Sequence, residues 1–279
     1  MVFSEILGVG LRTLDDRIWV MNKASLIIVD GGVGEGKTTL AVKIGDFVNG
    51  LHGLPPIVFE EQLALGGEEF AKKLQLCYKK KLPVLIYDEA GDFNRRGSLT
   101  RLNALLTRTF ETFRAFKVLV IICLPYFGVL DNGLFDKNIP RLLLRCNGRT
   151  LKQGNFRAWK LSQMNWIRFH TAKLVNKQDA YNKVYPLYYG HFQNLEAARS
   201  RALDSYSVKG KLKALGDAEV RFQGLLTYDD LAKKTFRSLS WVKNSLKTLK
   251  IKPKRLYMKR AYFDGGTADR LMDFLDIQK

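Results

Sequence analysis

Long apolar runs are missing from this chain. None approaches the roughly 18 consecutive apolar residues that a membrane-spanning helix needs, so no span is expected. Cysteine is scarce. Cys77, Cys123 and Cys146 are odd in number and widely spaced, which excludes a disulfide framework and gives no metal-ligand spacing. Cys123 falls in the run VLVIIC and reads as a buried thiol in a reduced, cytoplasmic protein. The stretch from Met1 to Arg17 lacks a basic segment followed by an apolar one, so it is not expected to be a signal peptide. Internal repeats and low-complexity tracts are also lacking.

Acid is in short supply, and unevenly so. The 279 residues carry 46 Lys/Arg against 27 Asp/Glu, a net charge of +19. Residues 1–150 hold 20 Lys/Arg and 16 Asp/Glu, whereas residues 151–279 hold 26 and 11, a net +15. The tightest block, Lys233 to Arg260, has eleven Lys/Arg and no acid. A one-sided field of this kind attracts a polyanion. Nucleic acid is the first candidate and an anionic membrane the second; the bland alternative is a solvated basic face.

What is present is an alternation of short apolar strands and helices. SLIIVD at 25–30 reads as a buried strand, Thr38 to Val48 as a helix, and Pro56 to Glu60 as a second strand. Glu68 to Lys79 reads as a helix and Val84 to Tyr87 as a third strand. A helix capped by Ser98 or Thr100 follows, with Leu102, Leu105, Leu106, Phe110 and Phe113 at helical spacing. Lys117 to Cys123 is a near-continuous apolar run, as in a parallel strand covered on both faces, and Arg141 to Arg145 is another strand. This rhythm predicts an α/β fold with a mostly parallel central sheet flanked by helices. Right-handed crossovers then bring the loops at 31–37 and 88–97 to one edge. Phe156 to Leu161 and Trp166 to Thr171 partly alternate and read as strands closing the sheet or a hairpin on its edge; Asn194 to Leu203 reads as helical. The expected organisation is a domain at 1–195, a helical linker at 196–224 and a basic module at 225–279.

Residues 31–38 are Gly31, Gly32, Val33, Gly34, Glu35, Gly36, Lys37 and Thr38, the pattern G-x-x-x-x-G-K-S/T between a strand and a helix. Glycines let successive backbone N–H groups face phosphate oxygens, and the helix N-terminus adds unpaired N–H groups. Lys37 is positioned for the β- and γ-phosphates, Thr38 for Mg²⁺, and Thr39 completes the phosphate-binding set. The second part is Leu85-Ile86-Tyr87-Asp88-Glu89, where an apolar strand delivers Asp88 to hold Mg²⁺ and Glu89 to polarise a water for attack on the γ-phosphorus. The expected ligands are ATP, with GTP open, and Mg²⁺.

The paired acids resemble the additional-strand catalytic-glutamate group of P-loop nucleoside triphosphatases. In that group a strand lies between the two motif strands, and residues 56–60 are the candidate here. The group also implies a polar sensor at the end of the next strand. This chain has Cys123-Leu124-Pro125-Tyr126 there, which departs from the pattern, and leaves Asp131 or Asn132 as substitutes. The core is similar to the ATPase domains of HerA/FtsK-type translocases and zonula-occludens-toxin-like assembly ATPases of mobile elements, over residues 20–190. That resemblance implies a homo-oligomer, often a ring, completed by an arginine from the neighbouring subunit. Arg108, Arg114 and Arg149 rank first for that role, ahead of Arg101, Arg141 and Arg145. Arg95 and Arg96 are alternatives for coupling nucleotide state to DNA.

Residues 227–251, TYDDLAKKTFRSLSWVKNSLKTLKI, read as a helix-turn-helix. Thr227 and Asp230 fit a capping box, Ser238 or Ser240 can cap the second helix, and Val242, Leu246 and Leu249 form its apolar face. The segment resembles the helix-turn-helix of DNA-binding domains, winged ones included, with Phe236 where glycine is common and Arg237 where an apolar residue is common. Lys233, Lys234, Arg237, Trp241, Lys243, Asn244, Lys247 and Lys250 are the candidate DNA contacts, with Asn244 suited to an adenine edge. Lys252, Lys254, Arg255, Lys259 and Arg260 follow as a wing or tail. A protein-docking helical module is the alternative. Together these features point to a DNA-stimulated ATPase for translocation or packaging in a virus or mobile element. The second reading is a site-specific DNA-binding switch acting as regulator or loader in transposition, replication or partition. A small-molecule kinase is the third.

Overall fold

The computed structural model describes residues 3–88, 114–149, 153–171, 173–174, 177–222, 226–235, 237–253, 255–257, 260–264 and 266–277. The chain divides into two compact units, Met1–Leu212 and Lys213–Lys279.

The first unit is built on a seven-stranded mixed sheet in the order β2-β3-β4-β1-β5-β6-β7. Its centre is β1 (Leu26–Asp30), flanked in parallel by β4 (Leu119–Leu124) and β5 (Pro140–Arg149). Next to β4 lies β3 (Val84–Asp88), and beyond it the two-residue β2 (Leu63–Ala64), both parallel. On the other side β6 (Gln153–Lys160) and β7 (Tyr188–Gln193) continue the sheet antiparallel.

The central strands are apolar at nearly every position because both faces are covered. Ile27, Val29, Ile86 and Ile121 point into one core, with α1 (Glu5–Trp19), α2 (Lys37–Leu51), α3 (Phe59–Gln62) and Leu203 of α7 (Ala197–Phe222). Leu26, Ile28, Leu85 and Ile122 point into the other, with α4 (Gly67–Lys80), α5 (Asn132–Asp136), α6 (Leu161–Thr171) and the 3-10 turn Lys177–Lys183. Gly45 lets α2 lie close on the sheet: a Cβ there would meet Ile57 at 3.0 Å and Ile86 at 3.3 Å. That close seat fixes where the first turn of α2 meets the strand ends.

Three expectations differ from the structure. Pro56–Glu60 is not a strand; it leads into α3, and the strand comes later, at β2. The buried Gln62 side chain bonds Asn49 and the Val84 carbonyl, which anchors the helical turn that ends at it. Consequently the strand between β1 and β3 is not residues 56–60 but β4, which arrives later in sequence. Trp166 to Thr171 is part of α6, not a strand: Met164 and Ile167, three residues apart, form the buried side of a helix. The helix α1 had no counterpart among the sequence expectations. The helix expected after Glu89 lies outside the described residues, up to residue 113.

In the second unit α8 (Tyr228–Thr235) and α9 (Leu239–Thr248) precede a hairpin, β8 (Arg255–Tyr257) with β9 (Arg260–Tyr262), and a last helix, α10 (Thr267–Ile277). Leu226 and Phe263 exchange backbone hydrogen bonds of 2.7 and 2.8 Å, tying the entry of α8 to the exit of the hairpin. Leu231, Val242, Leu246, Phe263, Ala268 and Leu271 form the core. Thr227 and Asp230 form the expected reciprocal cap: the Thr227 N–H donates to Asp230 Oδ2 at 2.9 Å and the Asp230 N–H to Thr227 Oγ1 at 3.2 Å. Ser238 caps α9, accepting from the Trp241 N–H at 3.3 Å. The unit is thus two short helices, a two-stranded hairpin and a last helix around one small core. No helix among the described residues is long and apolar enough to cross a membrane.

Candidate functional site

Parallel pairing sets the ends of β1, β3 and β4 level: Asp30 pairs with Leu124, and Asp88 with Cys123. The loop after β1 therefore opens beside the end of β3. Gly31 begins that loop at φ +148°, where a Cβ would also lie 2.7 Å from the Cys146 carbonyl of β5. Gly36, at φ +84°, precedes Lys37 as the N-cap of α2. Gly32, Val33 and Gly34 make the turn between them, and Thr39 is buried in the first turn of α2.

The two motifs meet through their side chains. Thr38 Oγ1 donates to Asp88 Oδ2 at 2.8 Å, across 50 residues of sequence. Lys37 Nζ reaches back over the loop, donating to the carbonyls of Gly31 at 3.0 Å and Gly32 at 2.7 Å. Its charge is thus held against the loop rather than out in solvent. Glu35 folds over the same loop: its carboxylate accepts from the Gly32 N–H at 2.6 Å. One amide of the loop is thus already paired with a carboxylate oxygen from the loop itself.

A hydroxyl and a carboxylate this close are hard oxygen donors. They suit an ion such as Mg²⁺, which takes one or two protein ligands and completes its shell with water and phosphate. Among the described residues no group of three or more His, Cys, Asp or Glu could hold a metal by protein ligands alone. The donor set fits an ion that arrives with its phosphates. Glu89, Arg101 and Arg108 lie outside the described residues. Arg114 is exposed in a helical turn ahead of β4, and Arg149 is the last residue of β5.

Behind the loop lies a buried polar cluster that the sequence did not single out. Asp30 is fully buried, and its Oδ2 accepts from the Phe127 N–H at 3.2 Å and from the Tyr181 hydroxyl. Arg145, its register partner on β5, places Nη1 3.6 Å away and lies 3.9 Å over the Tyr181 ring. Burial pushes the Asp30 carboxyl up from 3.8 to about 6, and Arg145, Tyr181, Phe127 and Lys37 pull it back down. Burial and the neighbouring carboxylate raise Tyr181 far above the usual phenol range. Arg145, among the arginines considered for a neighbouring subunit's site, is therefore buried inside its own chain, beside Asp30. Burial also raises all three thiols, Cys77 and Cys146 to about 12. Asp131 caps α5 by accepting from the Gly133 N–H at 2.7 Å, and Asn132 accepts from Arg168, so both are engaged locally.

In the second unit Lys243, Asn244 and Lys247 are exposed on α9, with Trp241 partly so. Arg237 lies 5.9 Å over the Trp241 ring. Lys233 and Lys234 are exposed on α8, and Lys250 and Lys252 after α9. Arg255 and Arg260 sit in the two strands of the hairpin; Lys254 and Lys259 lie outside the described residues.

No protein-family model matches the chain, and no curated protein matches it. Among solved structures, the N-terminal domain of zonular occludens toxin from Neisseria meningitidis aligns at 14% identity and a TM-score of 0.31, covering 50% of this chain and 84% of that one. A KaiC-like protein from Pyrococcus horikoshii OT3 aligns at 13% identity and a TM-score of 0.32, covering 50% and 79%. Domain III of the Thermotoga maritima replication initiation protein DnaA aligns at 17% and 0.30, covering 48% and 57%. Identities and scores of this size mark a distant structural resemblance to these proteins and assign no family.

Proposed function

We propose that the chain is a Mg²⁺-dependent nucleoside triphosphatase that acts as a DNA-binding switch. Its first unit holds and hydrolyses ATP, and its winged helix-turn-helix settles on a DNA site. The observation that carries the nucleotide half is the 2.8 Å hydrogen bond from Thr38 to Asp88, with Lys37 held over the adjoining loop.

In this reading the loop amides and Lys37 grip the polyphosphate. Thr38 and Asp88 would hold Mg²⁺, which would supply positive charge beside the phosphates. Glu89 takes a proton from the attacking water as its oxygen bonds the γ-phosphorus. The bond to the β-phosphate oxygen breaks, leaving ADP and inorganic phosphate. Exposed Lys243 and Lys247 place α9 on the phosphate backbone, and Asn244 reads a base edge.

The role that best suits a reader module of this kind is regulator or loader at a defined site, as in transposition, replication or partition. Translocation or packaging of DNA for a virus or mobile element uses the same chemistry but needs an assembled ring with an arginine entering from the neighbour. Of the arginines offered for that task, Arg145 is committed within its own chain. Product analysis tests the proposal. The wild type should release inorganic phosphate from ATP in the presence of Mg²⁺, faster with DNA, and Glu89→Gln should lower turnover at least about 100-fold while leaving ATP bound. Transfer of phosphate to a metabolite instead would contradict it. Selection from random duplexes then separates the roles: one recovered sequence marks a regulator, and none, with movement along DNA, marks a motor.

A further inference from the structure

The first unit carries an exposed aromatic stripe that the nucleotide site does not use. On α6, Met164 and Ile167 are buried against the sheet, but Trp166 is 60% and Phe169 49% exposed. Trp166, Phe169, His170 and Lys173 follow one another at i, i+3, i+4 and i+7, so they run along one side of the helix and past its end. The rings are arranged against each other. Trp166 stacks on His170 at 6.2 Å and 29°, and meets Phe169 edge-on at 5.9 Å. Lys173 Nζ lies 4.0 Å over the Phe169 ring.

The chemistry around this stripe is one-sided. From Lys137 to Gln178 the sequence has ten Lys/Arg and no Asp or Glu. The acids facing α6 come from its neighbour α5, where Asp136 and Asp131 act on Arg168. Arg168 is committed there, bonded to Asn132 and 4.1 Å over the Phe135 ring. Lys173, Lys160 and Lys137 remain exposed. Large apolar rings left in water within a basic surface suit a ligand with flat faces and negative charge. Bases of a single strand have free π-faces and a phosphate beside each one, whereas duplex bases are already stacked.

We propose that this side of α6 is a stacking platform for single-stranded nucleic acid. It goes beyond the duplex-reading role given to the second unit and does not depend on that role. The platform is also tied to the nucleotide site. Tyr126, at the end of β4, donates to Thr171 Oγ1 at 2.9 Å in the last turn of α6. Tyr181, in the 3-10 turn that follows, donates to Asp30, the residue before Gly31. Two tyrosines thus join the strand-binding helix to the foot of the phosphate loop.

Oxidation of tryptophans with N-bromosuccinimide, followed by mass spectrometry of the full chain, tests this on the wild-type protein. Oligo(dT) should slow modification of Trp166 several-fold, with the buried Trp159 as an unreactive reference. Trp241 reports the second unit in the same sample and should respond to duplex DNA rather than to oligo(dT). Stacking is worth about 1–3 kcal/mol per base, so W166A/F169A, with an unchanged thermal melt, should weaken oligo(dT) binding by roughly 5- to 150-fold. Unprotected Trp166, or protection by phosphatidylserine vesicles or by raised protein concentration but not by oligo(dT), overturns the platform. If Trp241 is still protected by duplex in that case, the proposed DNA switch stands without it. If Trp166 alone is protected, the platform stands and the duplex-reading role falls.

Discussion

Thr38 and Asp88 are brought within hydrogen-bonding distance by strand order, with β4 spacing β1 from β3, and by the close seat of α2 on the sheet at Gly45. Glu35 beside them has a consequence for affinity. Its carboxylate occupies the Gly32 N–H at 2.6 Å, so a polyphosphate must compete with it for that amide and against its charge. Glu35→Ala should therefore tighten ATP binding about fivefold, ~1 kcal/mol, the net worth of one such hydrogen bond. Weaker binding in a titration would show instead that Glu35 holds the loop in shape. Asp30 makes a prediction in pH. Its carboxyl is raised from 3.8 to about 6 by burial. Between about pH 4 and 6 the folded chain holds a proton that the unfolded chain has lost, so this group's contribution to stability falls as pH rises through that window and is level above it. The difference in unfolding free energy between the wild type and Asp30→Asn should decline across the window; a rise would contradict the assignment.

At the scale of elements, the second unit gives a measurement of its own. If α9 lies on DNA, affinity falls linearly in log salt, and each lost phosphate contact lowers the slope by about one. Lys247→Ala in the full chain should lower it by that amount, while Asn244→Ala should change which sequence is preferred; a salt slope near zero in the wild type would favour a protein-docking module. Elements were legible in the sequence where periodicity and chemistry coincided. The glycine loop between β1 and α2, the Thr227–Asp230 cap and the apolar face of α9 all carry local patterns. What could not be read depended on tertiary packing. Nothing local tells that β4 inserts between β1 and β3, or that Gln62 anchors a helical turn where a strand was expected. Ile167 and Phe169 alternate with Arg168 and His170 as in a strand, and only the buried Met164–Ile167 pair shows the helix. The Asp30, Arg145 and Tyr181 cluster joins three distant segments, and its one local trace is an acid placed just before the glycine loop.

For the whole molecule, charge follows architecture only in part: residues 1–212 hold 31 Lys/Arg and 19 Asp/Glu, and the much shorter 213–279 hold 15 and 8. The first unit contains the sheet, the glycine loop and the acids beside it; the second is small, basic and mainly helical. The acid-free stretch from Lys137 to Gln178 adds a second basic region, inside the first unit. In the proposed reading the two units make nucleotide and DNA binding separable by substitution: losing one should leave the other in place. The most direct test is calorimetric titration of ATP with Mg²⁺ into the wild type, Lys37→Ala and Thr38→Ala. The prediction is saturable binding by the wild type, weakened at least ~100-fold without Lys37, with Mg²⁺ dependence lost without Thr38. Binding of equal strength in all three proteins would contradict the account.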